Sequence, residues 1–162
     1  MHALRCFLLL LFAMSAHGQD GVFADVSTSA GDFTIALEHT LAPRTVANFV
    51  GLAEGTQPWI DAKTGEVRQR PYYDGITFHR VIADFVVQGG DPRGDGWGSG
   101  GETLRDEIHT VRYGRGALGM PKAGKDTGGC QIFITHCPQP RLDGNYTVFG
   151  SVRAGMDVVN SI

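Results

Sequence analysis

Glycine clusters divide this chain into short segments, and this division limits the folds that the sequence can adopt. Glycine accounts for 23 of the 162 residues, and short runs with large apolar side chains lie between the clusters. Residues 33–37 alternate large and small side chains with the period of two that is typical of a half-buried strand. Many short strands joined by glycine-rich turns are typical of a barrel or a sandwich. The sequence therefore predicts an all-β fold.

Two segments of the chain predict helices. Pro43 suits a first helical turn, because its missing N–H would have no partner there, and Gly55 has the position of a residue that ends a helix. Between them runs an apolar stripe that we expect to close one mouth of a barrel; it consists of Val46, Phe49, Val50 and Ala53. A second helix is predicted from Gly155 onward. The order of elements predicts one domain, an antiparallel β-barrel capped by helices.

The other elements are predicted to be short strands and loops. Residues 56–71 carry mixed charges and predict a solvated loop, and residues 89–101 are too rich in glycine for regular structure. The predicted strands are residues 22–26, 33–37, 76–82, 85–88, 116–120, 131–135 and 146–152.

Residues 1–18 are typical of a secretory signal peptide. Arg5 supplies a positive charge, an apolar run follows at residues 7–14, and small residues precede a cleavage site after Gly18. The alternative is a membrane anchor, but the apolar run is shorter than the roughly 20 residues that a spanning helix needs. We therefore expect a mature domain from residue 19 to residue 162 that is periplasmic or secreted and has no membrane attachment after cleavage.

Charge and cysteine content argue against several classes of protein. The net charge is −3, and no basic stripe with interleaved aromatic residues occurs, so nucleic acid is not an expected partner. Cys130 and Cys137 flank a predicted strand and lie beyond disulfide reach unless the chain folds back, so free thiols are expected. No cysteines or histidines have the spacing of metal ligands, and we expect neither a metal nor another cofactor.

Two blocks of sequence point to a function. The first is residues 78–91, Phe-His-Arg-Val-Ile-Ala-Asp-Phe-Val-Val-Gln-Gly-Gly-Asp, which places an arginine, a phenylalanine and a glutamine close together in a segment otherwise suited to β-structure. The second is residues 128–134, Gly-Gly-Cys-Gln-Ile-Phe-Ile. Together they resemble the active-site strands of the cyclophilins, the peptidyl-prolyl cis/trans isomerases. The resemblance extends from about residue 22 to residue 162, and within the family the chain resembles exported bacterial members.

The resemblance implies a fold and an activity. The fold would be a closed, antiparallel, eight-stranded β-barrel capped by two helices. Residues 155–162 resemble the opening of the family's second helix, and the family's last strand, which closes the barrel against the first, would follow, so we expect the domain to be incomplete at its C-terminus. The activity would be rotation about X-Pro bonds during the folding of exported proteins, by a monomer acting on unfolded or flexible proline-containing polypeptides. A non-catalytic proline-peptide-binding module or a chaperone would use the same groove.

The chemistry of X-Pro rotation explains why an arginine is needed. Rotation breaks amide resonance against a barrier of about 18–20 kcal/mol and requires no nucleophile, metal or proton transfer. The prolyl nitrogen gains a lone pair in the twisted transition state, so a fixed donor aimed at it binds that state better than the planar one. Arg80 suits this role because its guanidinium stays charged and carries several donors. The alternative for Arg80 is a surface ion pair with Asp84 or Asp91.

By the same resemblance, Arg80 is the catalytic residue and nine further residues bind substrate. Some would form the apolar walls of a proline slot, and others would contact the backbone of the peptide. The predicted substrate-binding residues are Phe85, Val86, Gln88, Pro121, Lys122, Gln131, Phe133, Leu142 and Tyr146.

Individual residues carry more specific expectations. Gln88 would bond the substrate backbone and steady Arg80, and it can share a cleft with Phe85 only if the chain bends at residues 86–87. Gln131 and Phe133 lie two apart and would share one face of a strand.

Three side chains near these residues carry expectations of their own. His79 is expected to be a buried, hydrogen-bonded core residue. Arg141 and Tyr146 replace a tryptophan and a histidine of eukaryotic members, as in bacterial ones.

Overall fold

Seven strands form one curled antiparallel sheet in the computed structural model, which describes residues 21–162. The order of strands across the sheet is β1-β2-β9-β7-β8-β6-β5, and β3 and β4 form a separate hairpin. The strands are β1 Val22–Thr28, β2 Gly31–Leu37, β3 Trp59–Ile60, β4 Val67–Arg68, β5 Arg80–Ile82, β6 Val86–Gly89, β7 Ala117–Gly119, β8 Ile132–Thr135 and β9 Val148–Ala154; the helices are α1 Pro43–Glu54 and α2 Met156–Ser161.

The sheet is a half-barrel in the part of the chain that the structure describes. Among residues 21–162, β1 pairs only with β2 and β5 pairs only with β6. A cavity of about 840 Å³ lies beside the free edge of β1, with Val26, Phe49, Tyr73 and Phe78 among its lining residues. The predicted mostly-β fold with two helices is confirmed, whereas the closed eight-stranded barrel stays an expectation.

The main core lies between the sheet and the two helices. Ile35 of β2, Ile134 of β8 and Phe149 of β9 are fully buried and pack with Phe49 of α1 and Val159 of α2. Phe49 and Phe149 have ring centroids 5.7 Å apart. Burial of one such side chain stabilises a fold by about 1.5–3 kcal/mol, so this core fixes the helices against the sheet.

The ends of α1 agree with the prediction, but its buried face is rotated. Pro43 opens the helix, and Gly55 ends it with the left-handed φ of 72°. Val50 is half-buried and packs against the main core, whereas Ala53 is exposed, so the predicted stripe is wrong at Ala53. The face turns instead toward Asn48, whose Nδ2 donates to the carbonyl of Gly129, and toward Leu52.

A distant carboxylate caps the first turn of α1. Glu107 accepts hydrogen bonds from the backbone N–H groups of Arg44 and Thr45 and from the Thr45 hydroxyl. The first N–H groups of a helix have no partner within the helix, and a negative charge there is favourable. Glu107 therefore ties α1 to the segment that precedes β7.

Residues 56–71 are more ordered than the predicted solvated loop. They contain the β3–β4 hairpin, and Trp59 within it is 6% exposed. The Trp59 ring meets Tyr72 edge-on at 4.9 Å, and its Nε1 donates to the carbonyl of Arg70. The prediction is wrong here because one buried indole anchors a segment that is otherwise polar.

Other boundaries differ by a few residues. The strand predicted at residues 76–82 pairs only over Arg80–Ile82, because β5 is an edge strand with one partner among the described residues. The second helix is present at Met156–Ser161. Neither helix of residues 21–162 has the length and apolar character needed to cross a bilayer. The signal-peptide prediction for residues 1–18 lies outside the described residues.

Candidate active site

The β5–β6 hairpin places Arg80 beside Gln88. The two residues are partners in the antiparallel register, and Asp84, with a φ of 56°, turns the chain between the strands. Nη1 of Arg80 donates to Oε1 of Gln88 at 3.1 Å, so the expected contact between them is present. The alternative ion pair of Arg80 with Asp84 or Asp91 is not formed among the described residues. The guanidinium is therefore oriented by a neutral amide.

A second glutamine extends this contact into a chain of hydrogen bonds. Nε2 of Gln88 donates to Oε1 of Gln131 at 2.9 Å. Nε2 of Gln131 donates in turn to the carbonyls of Gly96 and Gly98, at 3.0 and 3.1 Å. The hydrogen bonds are thus all donated in one direction, from Arg80 through the two glutamines to the backbone carbonyls of the 91–98 loop.

An apolar cluster adjoins these polar side chains. Phe133 at its centre is 4% exposed, and Val86 and Leu142 are buried against it. The Tyr146 ring meets Phe133 edge-on with centroids 6.1 Å apart, and Phe85 packs at the margin of the cluster. Phe133 lies in this cluster, while its neighbours in β8 face the main core.

Phe85 reaches the site by a different route from the one predicted. It lies in the turn before β6, and the chain is regular through residues 86–87. The condition of a bend there is not met, because the change of direction occurs at Asp84; Phe85 lies at the apolar cluster and Gln88 lines a groove. The Phe85 ring lies 5.8 Å from the guanidinium carbon of Arg80 and 5.6 Å from that of Arg141, distances at which cations are attracted to aromatic faces.

Pro121 and Lys122 line a groove on the other side of Arg80. The groove has a volume of about 520 Å³ and is also lined by Gln88, Gln131 and the exposed Trp97. Nζ of Lys122 pairs with the carboxylate of Asp106, and it lies 5.5 Å from the centroid of the Tyr146 ring. This contact joins the groove to the apolar cluster.

The ten predicted side chains therefore fall into two adjoining sets. Arg80, Gln88, Pro121, Lys122 and Gln131 line the groove. Phe85, Val86, Phe133, Leu142 and Tyr146 form the apolar cluster.

Tyr113 belongs to the site but was not predicted. Its ring stacks on Phe133 with centroids 5.4 Å apart, and its hydroxyl donates to the carbonyl of Thr147. Burial raises the pKa of its phenol well above the usual range. A glycine within a strand often marks a close approach, and Gly119 of β7, which faces Phe133, was the available signal.

Asp91 organises the loop that ends the chain of hydrogen bonds. Its carboxylate is buried and accepts the backbone N–H groups of Arg93, Asp95 and Gly96. Burial acts to raise the pKa of Asp91, but these hydrogen bonds outweigh it and hold the pKa below its usual range. The loop has no regular secondary structure, as predicted, but its backbone is held in place by hydrogen bonds to the Asp91 carboxylate.

Some residues near the site do not join it. His79 is half-buried, but neither ring nitrogen has a hydrogen-bond partner among the described residues, so the predicted hydrogen bond is wrong; His79 precedes β5 and lies outside the strand ladder. Cys130 and Cys137 are free thiols, and burial raises the pKa of Cys130. Residues 21–162 contain no group of three or more His, Cys, Asp or Glu that could hold a metal ion.

Proteins of similar sequence share one enzyme class. A chain from Streptomyces anulatus, peptidyl-prolyl cis-trans isomerase B, is 43% identical over 87% of this chain and 83% of its own length. Peptidyl-prolyl cis-trans isomerase A of Mycobacterium tuberculosis is 44% identical over 80% of this chain and 72% of its own length.

Solved structures of similar fold lead to the same family. A cyclophilin-type peptidyl-prolyl cis-trans isomerase of Cryptosporidium parvum has a TM-score of 0.73 and 31% identity, covering 86% of this chain and 82% of its own. The same protein in the presence of the dipeptide Ala-Pro has a TM-score of 0.72 and 32% identity, with coverages of 85% and 82%.

The match to the family covers nearly all of the described structure. The family model for cyclophilin type peptidyl-prolyl cis-trans isomerases matches residues 23–162, which include both helices, all of the sheet except Val22, and all residues of the groove and the apolar cluster. The chain therefore belongs to the cyclophilin family of peptidyl-prolyl cis-trans isomerases.

Proposed function

We propose that this family member accelerates rotation about X-Pro bonds in unfolded or flexible polypeptides, with Arg80 as the catalytic residue. One observation carries the proposal: an exposed guanidinium, without an ion pair among the described residues, lies beside the Phe133 cluster. The Cryptosporidium parvum structure determined in the presence of Ala-Pro supports proline-containing chains as substrates.

The catalytic step needs a donor at the prolyl nitrogen. The proline ring enters the slot formed by the apolar cluster, and Arg80 donates to the nitrogen as the amide twists. Gln88 accepts one hydrogen bond from Arg80, and a guanidinium carries five N–H donors, so others remain for the substrate. A gain of about 7 kcal/mol in the transition state alone would accelerate rotation by some five orders of magnitude.

The groove holds the backbone of the peptide on one side of the proline. Gln88 uses one N–H of its amide for Gln131 and keeps the second for a peptide carbonyl. Pro121 has no N–H to offer, so its backbone contributes carbonyl acceptors alone. The charge of Lys122 is offset by Asp106, so this wall of the groove is less cationic than its sequence suggests.

We also propose that the sheet forms part of a closed, eight-stranded barrel. A further strand would pair with the edges of β1 and β5 that have no partner among residues 21–162, and it would cover the cavity of about 840 Å³ beside β1. The sequence pattern of residues 1–18 supports export of the protein, and we place the isomerase, as a monomer, in the periplasm or outside the cell.

Exchange NMR on an Ala-Pro peptide tests the proposed function. The wild-type protein should broaden the cis and trans resonances and raise the exchange rate, whereas Arg80→Ala should bind the peptide and lose most of the catalysis. Arg153→Ala removes another exposed arginine, on β9, outside both the groove and the cluster, and serves as the matched control. Peptide binding without catalysis by the wild-type protein would instead establish a proline-binding module or a chaperone.

A further inference from the structure

We infer that Asp91 is a positioning residue for Arg80 and acts through the 91–98 loop and two glutamines. The inference rests on the proposed function and deepens it. Asp91 makes no ion pair with Arg80 among the described residues. Asp91 is connected to Arg80 through a chain of hydrogen bonds. The loop that Asp91 holds determines which atom donates and which accepts at each step of this chain.

The first link is the closure of the loop around a buried carboxylate. Asp91 is 2% exposed, and its oxygens accept the N–H groups of Arg93 at 2.7 Å, Asp95 at 3.0 Å and Gly96 at 2.5 Å. A side chain at position 98 is excluded, since a Cβ there would lie 1.7 Å from Oδ1 of Asp91. The backbone path that the loop takes around this carboxylate therefore requires glycine at position 98.

The second link is the pair of carbonyls that the wrapped loop presents. The carbonyls of Gly96 and Gly98 both accept from Nε2 of Gln131. An amide side chain has donors at one end and an acceptor at the other. Rotation of the Gln131 amide by half a turn would bring its oxygen against two carbonyl oxygens, so the loop fixes which end faces Gln88.

The third link connects the orientation of the Gln131 amide to Arg80. With its oxygen toward Gln88, Gln131 accepts from Nε2 of Gln88, which leaves Oε1 of Gln88 facing Nη1 of Arg80. If Gln131 rotated, Gln88 would have to rotate too, and it would then present N–H donors to a guanidinium that has only donors. The two loop carbonyls therefore determine that Arg80 meets an acceptor.

The position of the guanidinium matters because the catalysed rate is sensitive to small displacements of a catalytic group. A misplacement of about 1 Å can lower a rate by about 100-fold. Loss of the loop's closure should release the two amides and let Arg80 sample positions away from the prolyl nitrogen. The apolar proline slot has no part in this chain, although Gln88 and Gln131 line the groove, so peptide affinity should fall less than the catalysed rate.

The variants Asp91→Asn and Gly98→Ala test the first link independently. Asp91→Asn removes the charge that gathers the loop, and Gly98→Ala displaces the carboxylate without removing it. Each folded variant should lower the catalysed exchange rate of an Ala-Pro peptide by about 10- to 100-fold and should change the peptide dissociation constant by a smaller factor than the rate. The side-chain resonances of Gln88, Gln131 and Arg80 should shift in the absence of peptide.

Asp61→Asn is the matched control. Asp61 also accepts backbone N–H groups in a loop, from Lys63 and Thr64, but it lies outside the groove and the apolar cluster. Its replacement should leave the exchange rate and the resonances of the three site side chains unchanged.

A double-mutant cycle distinguishes positioning from general structural damage. In an Arg80→Ala background, measured at equimolar protein and peptide, Asp91→Asn should cause no further loss of rate. An equal loss in both backgrounds, or an unchanged rate in the folded Asp91→Asn and Gly98→Ala variants, would overturn the inference. A wild-type protein without isomerase activity would refute the proposed function instead, while the side-chain resonances would still report whether Asp91 orders the chain.

Discussion

Gly119 and Phe133 face each other across β7 and β8, and a Cβ on Gly119 would lie 2.3 Å from the Phe133 ring. The same Cβ would lie 2.5 Å from the hydroxyl oxygen of Tyr113. The space that a side chain would fill at position 119 is thus occupied by two stacked rings. The packing of the apolar cluster, which is the proposed proline slot, therefore depends on the absence of a side chain at position 119.

Gly119→Ala should therefore displace the rings that form the proposed proline slot. The added methyl must move Phe133 or Tyr113, and overpacking of this kind costs about 1–3 kcal/mol of folding free energy. Peptide affinity should fall together with the midpoint of denaturant unfolding. Gly114→Ala is the control, because a Cβ there meets nothing within 4 Å. Unchanged stability and affinity in Gly119→Ala would mean that the rings can shift without cost.

Arg80→Lys should lose most of the catalysis although it keeps a positive charge. A lysine has a point charge on a flexible stem, without the planar fork that can bind Gln88 and the substrate together. A rate loss of about 10- to 100-fold corresponds to about 1.4–2.7 kcal/mol of transition-state stabilisation. Exchange NMR measures the rate, and circular dichroism checks the fold. Wild-type rates in this variant would show that charge alone suffices.

Local signals in the sequence predicted most of the helices and strands, whereas the resemblance to the cyclophilins supplied the candidate site residues. Pro43 and Gly55 mark the ends of α1 because proline and glycine restrict the backbone where they stand. Arg80 and Gln88 were predicted as neighbours, and the hairpin between them is short enough for one segment of sequence to encode it.

Contacts between distant segments could not be predicted in the same way. Glu107 caps α1 from 62 residues away, and Tyr113 reaches Phe133 through pairing of β7 with β8. The burial of Trp59 depends on Tyr72 and on the Arg70 carbonyl. Each of these contacts depends on the tertiary arrangement, which a pattern of polar and apolar residues within one segment does not contain.

The emission of Trp97 should report peptide binding. Trp97 is 79% exposed and lines the groove, whereas the other tryptophan, Trp59, is buried in a different cluster. A peptide lying in the groove should remove water from the Trp97 indole and shift its emission to shorter wavelength. Trp97→Phe should abolish the shift and retain the emission of Trp59. A shift that persists in Trp97→Phe would place the peptide elsewhere or indicate a change around Trp59.

The stability of the protein should fall at alkaline pH because three phenols are protonated in the fold. Burial raises the pKa values of Tyr72, Tyr73 and Tyr113 well above the usual range, and each hydroxyl donates to a backbone carbonyl. Below about pH 10, the phenols are neutral in both the folded and the unfolded chain, so they contribute no pH dependence. Above that pH, the unfolded chain loses protons that the folded chain retains.

The sign of this linkage makes folding less favourable as the pH rises. Each of the three phenols should lower the free energy of unfolding by about 1.4 kcal/mol per pH unit above about pH 10. Denaturant unfolding between pH 8 and pH 11 measures the slope, and Tyr113→Phe should remove the contribution of one phenol, about 1.4 kcal/mol per pH unit. In the wild-type protein, the phenolate absorbance of these three side chains should develop only as the fold is lost. Their ionisation near pH 10 with an intact circular dichroism spectrum would show that the phenols are accessible to water in the native state.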